Sequence, residues 1–378
     1  MQLVEQHPLV LHTDWSRSWG GQEIRVLTEL KELRRYGFRV GLIVPRESEL
    51  AQRAQAEKIP VYPVEKFAKF NLWSWRDLIT IIRTLKPAVI NTHSSEDSWM
   101  AGIVARFYGV PFIIRTRHVL APISSTFSYR FLPHIIFTCS AAIADQLTLE
   151  GISPDRLVVL STGNDEARFR FSRYHRNSIR QYYSIADNDI LVGNVAFCRH
   201  YKGLTFFLRT AAVMPDCFRF MLVGDGEELP RLKALANELG VSDRVIFAGH
   251  QEQPEHYLSA FDLFFFSSYE AEGISQSLVQ SLLNGLPVLA CPQASTNEVL
   301  GLVEDYRLVG YGDVTAASQA LQELAMIPRR DPERMEKQHK TVADRYGTQA
   351  MIRSLLRTYQ RFGVSVRNHA SCDSHAAF

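Results

Sequence analysis

In the first half of the chain, short runs of apolar residues alternate with stretches in which apolar positions recur every three to four residues. The run LVLHT (9–13) is followed by a helical pattern over 21–36 and then by FRVGLIV (38–44). PAVINTH (87–93) precedes a helical stretch near 99–108 and then VPFIIRTRH (110–118). IIFTCS (135–140) leads through AAIADQLTLEG to RLVVLST (156–162). Apolar runs too short for helices, each followed by an amphipathic segment, predict strand–helix–strand units and a parallel sheet covered by helices on both faces.

The rhythm breaks over 164–189, NDEARFRFSRYHRNSIRQYYSIADND, which is charged, aromatic and poor in strand pattern. It restarts with ILVGNVAF, FRFMLVGDG, RVIFAGH, DLFFFSS and PVLACP, each separated by a helical stretch. The expected architecture is α/β, with two Rossmann-like, doubly wound lobes facing across a cleft. One lobe covers 1–165 and the other 166–345, with 166–188 as the linker. Helical periodicity returns over 332–362, and a helix over 346–364 is expected to cross back to the first lobe. Residues 365–378 read as a loose tail. Doubly wound sheets bind ligands beyond the carboxyl ends of their strands, so the informative residues are those just after each strand.

Composition changes this picture little. The chain has 378 residues, 46% hydrophobic and 22% charged, enough for two globular cores. A formal net charge of +2 gives no sign of nucleic-acid binding. Cys139, Cys198, Cys217, Cys291 and Cys372 show no paired spacing, which argues against a disulfide framework or a zinc site. The start of the chain lacks a basic segment followed by a long apolar one, and no run reaches the roughly 20 apolar residues of a spanning helix. A cytoplasmic protein is expected, with any contact at the inner membrane peripheral.

Candidate chemistry lies after the strands. Gly20 and Gly21 in SWGGQE open a helix, either as a tight turn or as a cradle where backbone N–H groups approach an anion. They match neither the dinucleotide fingerprint nor a phosphate-binding Walker loop. His93 and His118 end two predicted strands, as hydrogen-bonded structural residues or as a pair facing one cleft. Arg115 and Arg117 beside His118 suit a phosphate or carboxylate, and no third ligand at useful spacing suggests a metal. In VGNVAFCRHYKG, Arg199 and Lys202 precede Gly203 at a helix start, either a solvated loop or a diphosphate site. In SSYEAEGISQSLVQSLLNGLPV, Glu272 stands before Gly273, Ile274 and Ser275, which would begin a helix carrying Gln280. Glu272 suits either a sugar hydroxyl or a bare helix cap.

The order GGQE, NTH, RTRH, STGND, VGN…KG, VGDGEEL, VIFAGH and SSYEAEGISQSLVQSLLNGLPV resembles family 4 of the retaining glycosyltransferases, of the GT-B fold, over residues 9–365. That resemblance implies a nucleotide diphosphate sugar as donor, held mainly by the second lobe, with no cofactor or metal required. It implies that Lys202 binds the diphosphate and that Glu272, the first glutamate of the E-x7-E motif, contacts the sugar. The backbone of Gly273 to Ser275 would face the sugar and distal phosphate. Gly21 corresponds to the phosphate and acceptor loop, and His118 to the first-lobe histidine near the transferring sugar. Two positions depart from the family: Phe197 stands where an arginine is usual, making Arg199 the candidate replacement, and Gln280 stands where a second glutamate usually takes the ribose hydroxyls. A glutamine still accepts through its carbonyl oxygen, without the charge.

The expected chemistry is front-face transfer with retention, the growing diphosphate charge met by Lys202, Arg199 and helix N-termini. No residue is assigned as a base. The acceptor would be a saccharide or glycolipid of bacterial lipopolysaccharide or surface polysaccharide. EKFAKFNLWSWR (65–76) and RFRFSRYHR (168–176) mix aromatic and basic residues, as interfacial segments or as half-buried packing. The rival readings are a scaffold that binds nucleotide without transfer and a nucleotide-sugar epimerase.

Overall fold

The computed structural model describes residues 7–65, 71–270, 273–328 and 330–366. It divides into two compact units, one running to Gly163 and resuming at Thr348, the other spanning Asn164–Gly347.

The apolar runs of the first unit become β1 (Leu9–Thr13), β2 (Arg39–Val44), β3 (Val61–Pro63), β4 (Val89–Thr92), β5 (Phe112–Arg117), β6 (Ile135–Thr138) and β7 (Leu157–Val159). They form one parallel sheet in the order β3-β2-β1-β4-β5-β6-β7. Strands buried on both faces show unbroken burial, as in β1 and β4. Side chains still alternate between the faces. Val10, Val89 and Phe112 pack under the helices Gly21–Arg35 and Thr348–Arg361, whereas Leu11, Ile90 and Ile113 pack on the opposite layer. The last helix joins the first unit through Met351, Ile352, Leu355 and Tyr359, all buried in that core.

The second unit repeats the plan with β8 (Ile190–Val195), β9 (Phe218–Val223), β10 (Val245–Gly249), β11 (Leu263–Phe266), β12 (Val288–Ala290) and β13 (Tyr306–Leu308), in the order β10-β9-β8-β11-β12-β13. The strand order reverses between β1 and β4 in one sheet and between β8 and β11 in the other. Such reversals open a crevice at the carboxyl ends.

The stretch 166–188, expected as a linker, is folded into the second unit. Its helix Arg173–Tyr182 packs on the helix Pro254–Ala260, with Arg176 and Arg180 both pairing with Asp262 and with Phe169 and Ile185 buried. Docking through guanidinium groups leaves little apolar stripe, which is why the pattern hid it. The periodicity over 332–362 resolves into two helices, Pro332–Tyr346 and Thr348–Arg361, broken at Gly347. Residues 367–378 of the expected tail lie outside the described residues.

Candidate functional site

In the first unit, the alternation of side chains places His12 of β1, His93 after β4 and His118 after β5 on the face roofed by the helix Gly21–Arg35. The histidines touch. His93 Nδ1 lies 2.9 Å from His118 Nε2, and His93 Nε2 lies 2.9 Å from His12 Nδ1. Beyond them, Arg25 and Glu29 of the helix form a fully buried pair at 2.6 Å, and Arg25 also donates to Cys139 Sγ and the Leu160 carbonyl. Burial pushes His12 down to about 4, Glu29 opposing and Arg25 reinforcing the shift. Burial likewise holds His93 and His118 well below the ordinary histidine range, helped by neighbouring rings and Arg25. The expected pair His93 and His118 is therefore one end of a longer chain. His12 was missed, although the period-two alternation of LVLHT was its signal.

The first strand also ends in a carboxylate that the motifs did not single out. Asp14 accepts from Ser16 N–H at 2.9 Å and from Gln22 Nε2 at 2.9 Å. Burial and then the nearby Asp97 raise it to about 7. Asp97 itself takes the Thr13 hydroxyl and the backbone N–H groups of His93, Ser94 and Ser98. Between them runs the Gly20–Gly21 turn, where Gly20 N–H donates to Glu23 Oε2 at 2.8 Å, so one donor of the expected cradle is taken internally. Arg115 and Arg117 are also engaged within the unit. Arg115 donates to Ser128 with its guanidinium 3.4 Å from the Tyr129 ring, and Arg117 donates to the Tyr129 hydroxyl at 2.6 Å.

In the second unit the crevice between β8 and β11 is shaped by backbone. Gly203 has φ of 66°, and a Cβ there would fall 2.0 Å from the Ser267 carbonyl oxygen. Ser267 Oγ in turn donates to the Lys202 carbonyl at 2.8 Å, tying the two strand ends together. Gly224, with φ of 143°, approaches the Ala196 carbonyl oxygen so closely that a Cβ would fall 1.8 Å from it. The loop so held carries Arg199, exposed, with its guanidinium 4.9 Å from the Phe197 ring, and Lys202, whose ammonium lies 5.2 Å from the Tyr201 ring. Tyr269 and Tyr311, with ring centroids 4.1 Å apart, stand beside it, and His200 meets Tyr269 edge-on.

Glu272 lies outside the described residues. The helix expected to begin at Gly273 begins at Gln276 instead (Gln276–Leu283), with Ser275 as its extended N-cap residue at φ −70°, ψ 124°. Gly273 and Ile274 therefore approach the helix as loop, and Gln280 lies half-buried in its second turn. The reason is local: two serines flank the start, Ser275 and Ser277, and their hydroxyls meet at 3.2 Å.

Two family profiles match the chain, "Glycosyltransferase Family 4" over residues 19–168 and "Glycosyl transferases group 1" over 189–326. With two parallel sheets wound alike, these matches define the class, a two-unit GT-B glycosyltransferase fold. The chain belongs to the family-4-like glycosyltransferases of group 1. Among curated proteins it is 28% identical over 155 residues to the lipopolysaccharide core biosynthesis glycosyltransferase LpsE of Rhizobium meliloti, covering 41% of this chain and 45% of that one. It is 29% identical over 186 residues to LpsD of the same organism, a lipopolysaccharide core biosynthesis glycosyltransferase, covering 48% and 52%. The chain thus spans about half the length of these relatives. Among solved structures, HepE of Anabaena in complex with UDP and glucose superposes with a TM-score of 0.82 at 18% identity, covering 94% of this chain and 100% of that one, which shows the fold.

Proposed function

We propose that the protein is a retaining glycosyltransferase that moves a sugar from a nucleotide diphosphate sugar to a hydroxyl of a saccharide or glycolipid in lipopolysaccharide or surface polysaccharide assembly. The observation that carries this reading is the cationic loop Arg199–Lys202, pinned at the β8/β11 reversal by the Gly203–Ser267 approach. A diphosphate leaving group gathers negative charge as the anomeric bond breaks. Lys202 and Arg199, held by a rigid backbone, meet that charge without reorganising and without a metal. Gly273, Ile274 and Ser275 offer backbone to the sugar, and Glu272 takes a sugar hydroxyl. Gln280 receives the ribose through its carbonyl oxygen. His118, with the turn at Gly20 and Gly21, serves the sugar and acceptor side. The curated relatives in lipopolysaccharide biosynthesis, and the UDP and glucose held by HepE, support this class of donor and product.

A lipid-anchored acceptor fits the surface of the first unit. Leu72 and Trp73 are 81% and 64% exposed at the start of the helix Leu72–Leu85, with the Arg76 guanidinium 5.6 Å from the Trp73 ring. Exposed aromatic and cationic side chains together suit the interfacial region of a bilayer. Residues 66–70 of the same segment lie outside the described residues. No described helix is long and apolar enough to cross a membrane.

The test is a panel of nucleotide sugars incubated with the full chain, reading nucleotide release and ligand-induced melting shifts. One donor should both stabilise and slowly hydrolyse. Lys202→Ala should weaken its binding roughly 10- to 100-fold, the loss of one charge-assisted contact, at an unchanged melting temperature without ligand. Nucleotide binding with no turnover on any donor, even with acceptor glycolipids supplied, would favour a scaffold that keeps the site without transfer.

A further inference from the structure

The histidine chain of the first unit closes on itself. From His118 Nε2 it passes through His93 to His12, and His12 Nε2 faces Glu29 Oε2 at 3.9 Å. Those last two atoms are buried with no hydrogen-bond partner, so each has only the other to serve it. Glu29 pairs with Arg25, Arg25 donates to Cys139 Sγ at 2.9 Å, and Cys139 Sγ returns to His118 Nδ1 at 3.4 Å. It is a chain and not a cage: among the described residues no group of three or more His, Cys, Asp or Glu is arranged to hold a metal.

Counting protons along it leaves two arrangements. A neutral imidazole donates once and accepts once. In the first arrangement the Cys139 thiol donates to His118 Nδ1, His118 Nε2–H to His93, His93 Nε2–H to His12, and His12 Nε2–H points at the Glu29 carboxylate. In the second every proton runs the other way, which requires Glu29 as the acid and Cys139 as the thiolate. The groups facing the chain decide between them. Arg25 touches both ends, so it does not choose. Burial pushes the Cys139 thiol up and disfavours the thiolate. The Tyr359 hydroxyl, from the helix Thr348–Arg361, feels Glu29 and is itself held well above its ordinary range. The thiol and carboxylate arrangement is favoured.

We infer that this chain fixes the proton of His118 on Nε2 and leaves Nδ1 as an acceptor, with the Cys139 thiol as an exchangeable donor whose place a hydroxyl of a bound sugar takes. Glu29, His12 and His93 are then positioning residues acting through His118. A thiol is a weak donor and its 3.4 Å contact is the loosest around His118, whereas a hydroxyl donates more strongly. His118 is half-buried at the end of β5, and Val119 beside it is exposed, so the ring stands at the margin of the unit. The inference rests on the sugar-transfer reading only for the identity of the hydroxyl.

The test is imidazole nitrogen NMR on the full chain labelled with 15N-histidine, from pH 5.5 to 8, with signals assigned by single histidine-to-asparagine variants. His118 should stay in the Nε2–H form over the whole range. Glu29→Gln, checked for folding by circular dichroism, should turn it into a mixture of tautomers. A His118 carrying its proton on Nδ1, or doubly protonated near pH 6, or indifferent to a folded Glu29→Gln, overturns the inference. Should Glu29→Gln fail to fold, the wild-type spectrum decides alone. Binding supplies the second readout. Cys139→Ser, whose hydroxyl holds Nδ1 harder, should weaken the nucleotide sugar several-fold relative to Cys139→Ala and leave the nucleotide alone unchanged. Equal binding by the two variants counts against the exchange. A correct tautomer with no nucleotide sugar bound by the wild type would sink the transferase reading and spare the chain. Sugar binding with the wrong tautomer would do the reverse.

Discussion

The two units present the same topology, and they furnish their strand ends in opposite ways. At the β1/β4 reversal the first unit buries side chains: His12, Asp14, His93 and Asp97, with Arg25 and Glu29 above the histidines. At the β8/β11 reversal the second unit uses backbone, with Gly203 and Gly224 letting loops touch and the cations left toward solvent. The first strategy stores charge in a low-dielectric interior, where each group depends on its neighbours and a proton has few places to go. The second keeps charge hydrated until a ligand arrives, so its rigidity comes from chain geometry. A diphosphate, which brings its own charge, suits the second; a hydroxyl, which must be oriented by a lone pair, suits the first.

That contrast is broken most severely at Arg25. Arg25→Met leaves Glu29 buried without its cation and should cost about 3–5 kcal/mol in denaturant unfolding. Adding Glu29→Leu should recover much of that loss, because a well-packed apolar pair replaces a buried ionic one at little cost. In the second unit the equivalent blow is a single carbon. Gly203→Ala forces a left-handed residue against the Ser267 carbonyl and should cost roughly 2–4 kcal/mol while abolishing nucleotide binding. Equal stability in that variant would mean the loop is not pinned as described.

Titration sharpens the same comparison, because buried side chains should make the first unit the pH-sensitive one. His12, His93 and His118 are depressed in the fold, so the unfolded chain binds more protons below its histidine pKa of about 6.5. Their contribution is present above that pH and is lost as pH falls toward 4. Asp14 acts in reverse. Its folded pKa of about 7 exceeds the unfolded 3.8, so the native state binds more protons between those values and stability falls as pH rises through them. Asp14→Asn should therefore steepen the gain in stability from pH 4.5 to 6.5, by up to about 1.4 kcal/mol per pH unit. A parallel or flatter profile of melting temperature against pH would remove Asp14 from this account. The smallest effect is expected at Gln280. Gln280→Glu exchanges a neutral for a charged acceptor and should tighten nucleotide binding by about 0.5–1.5 kcal/mol, read by titration calorimetry.

Much of this architecture is legible in the linear pattern. Nearly every strand follows from an apolar run, and the restart after 189 marks a second sheet, because a strand buried on both faces must be apolar throughout. The candidate residues of both units were legible as types at strand ends: His93, His118, Arg199 and Lys202. The helix Arg173–Tyr182 was not, since it docks by arginine to Asp262, and periodicity registers apolar stripes alone. The start of the helix Gln276–Leu283 was misplaced for a similar reason, serine being equally at home as a cap and in a first turn.

The sequence by itself determined two strand-helix repeats, a position for each break between strand and helix, and a cationic loop before a glycine. Each is a local property, set by side-chain period and backbone freedom within a few residues. Only the tertiary structure decided that His12, His93 and His118 touch, that Arg25 closes their chain through Cys139, and that Gly203 is hemmed in by Ser267. Those contacts join residues far apart in the chain through strand order and register, which arise from how whole strands pair and not from any one segment's composition.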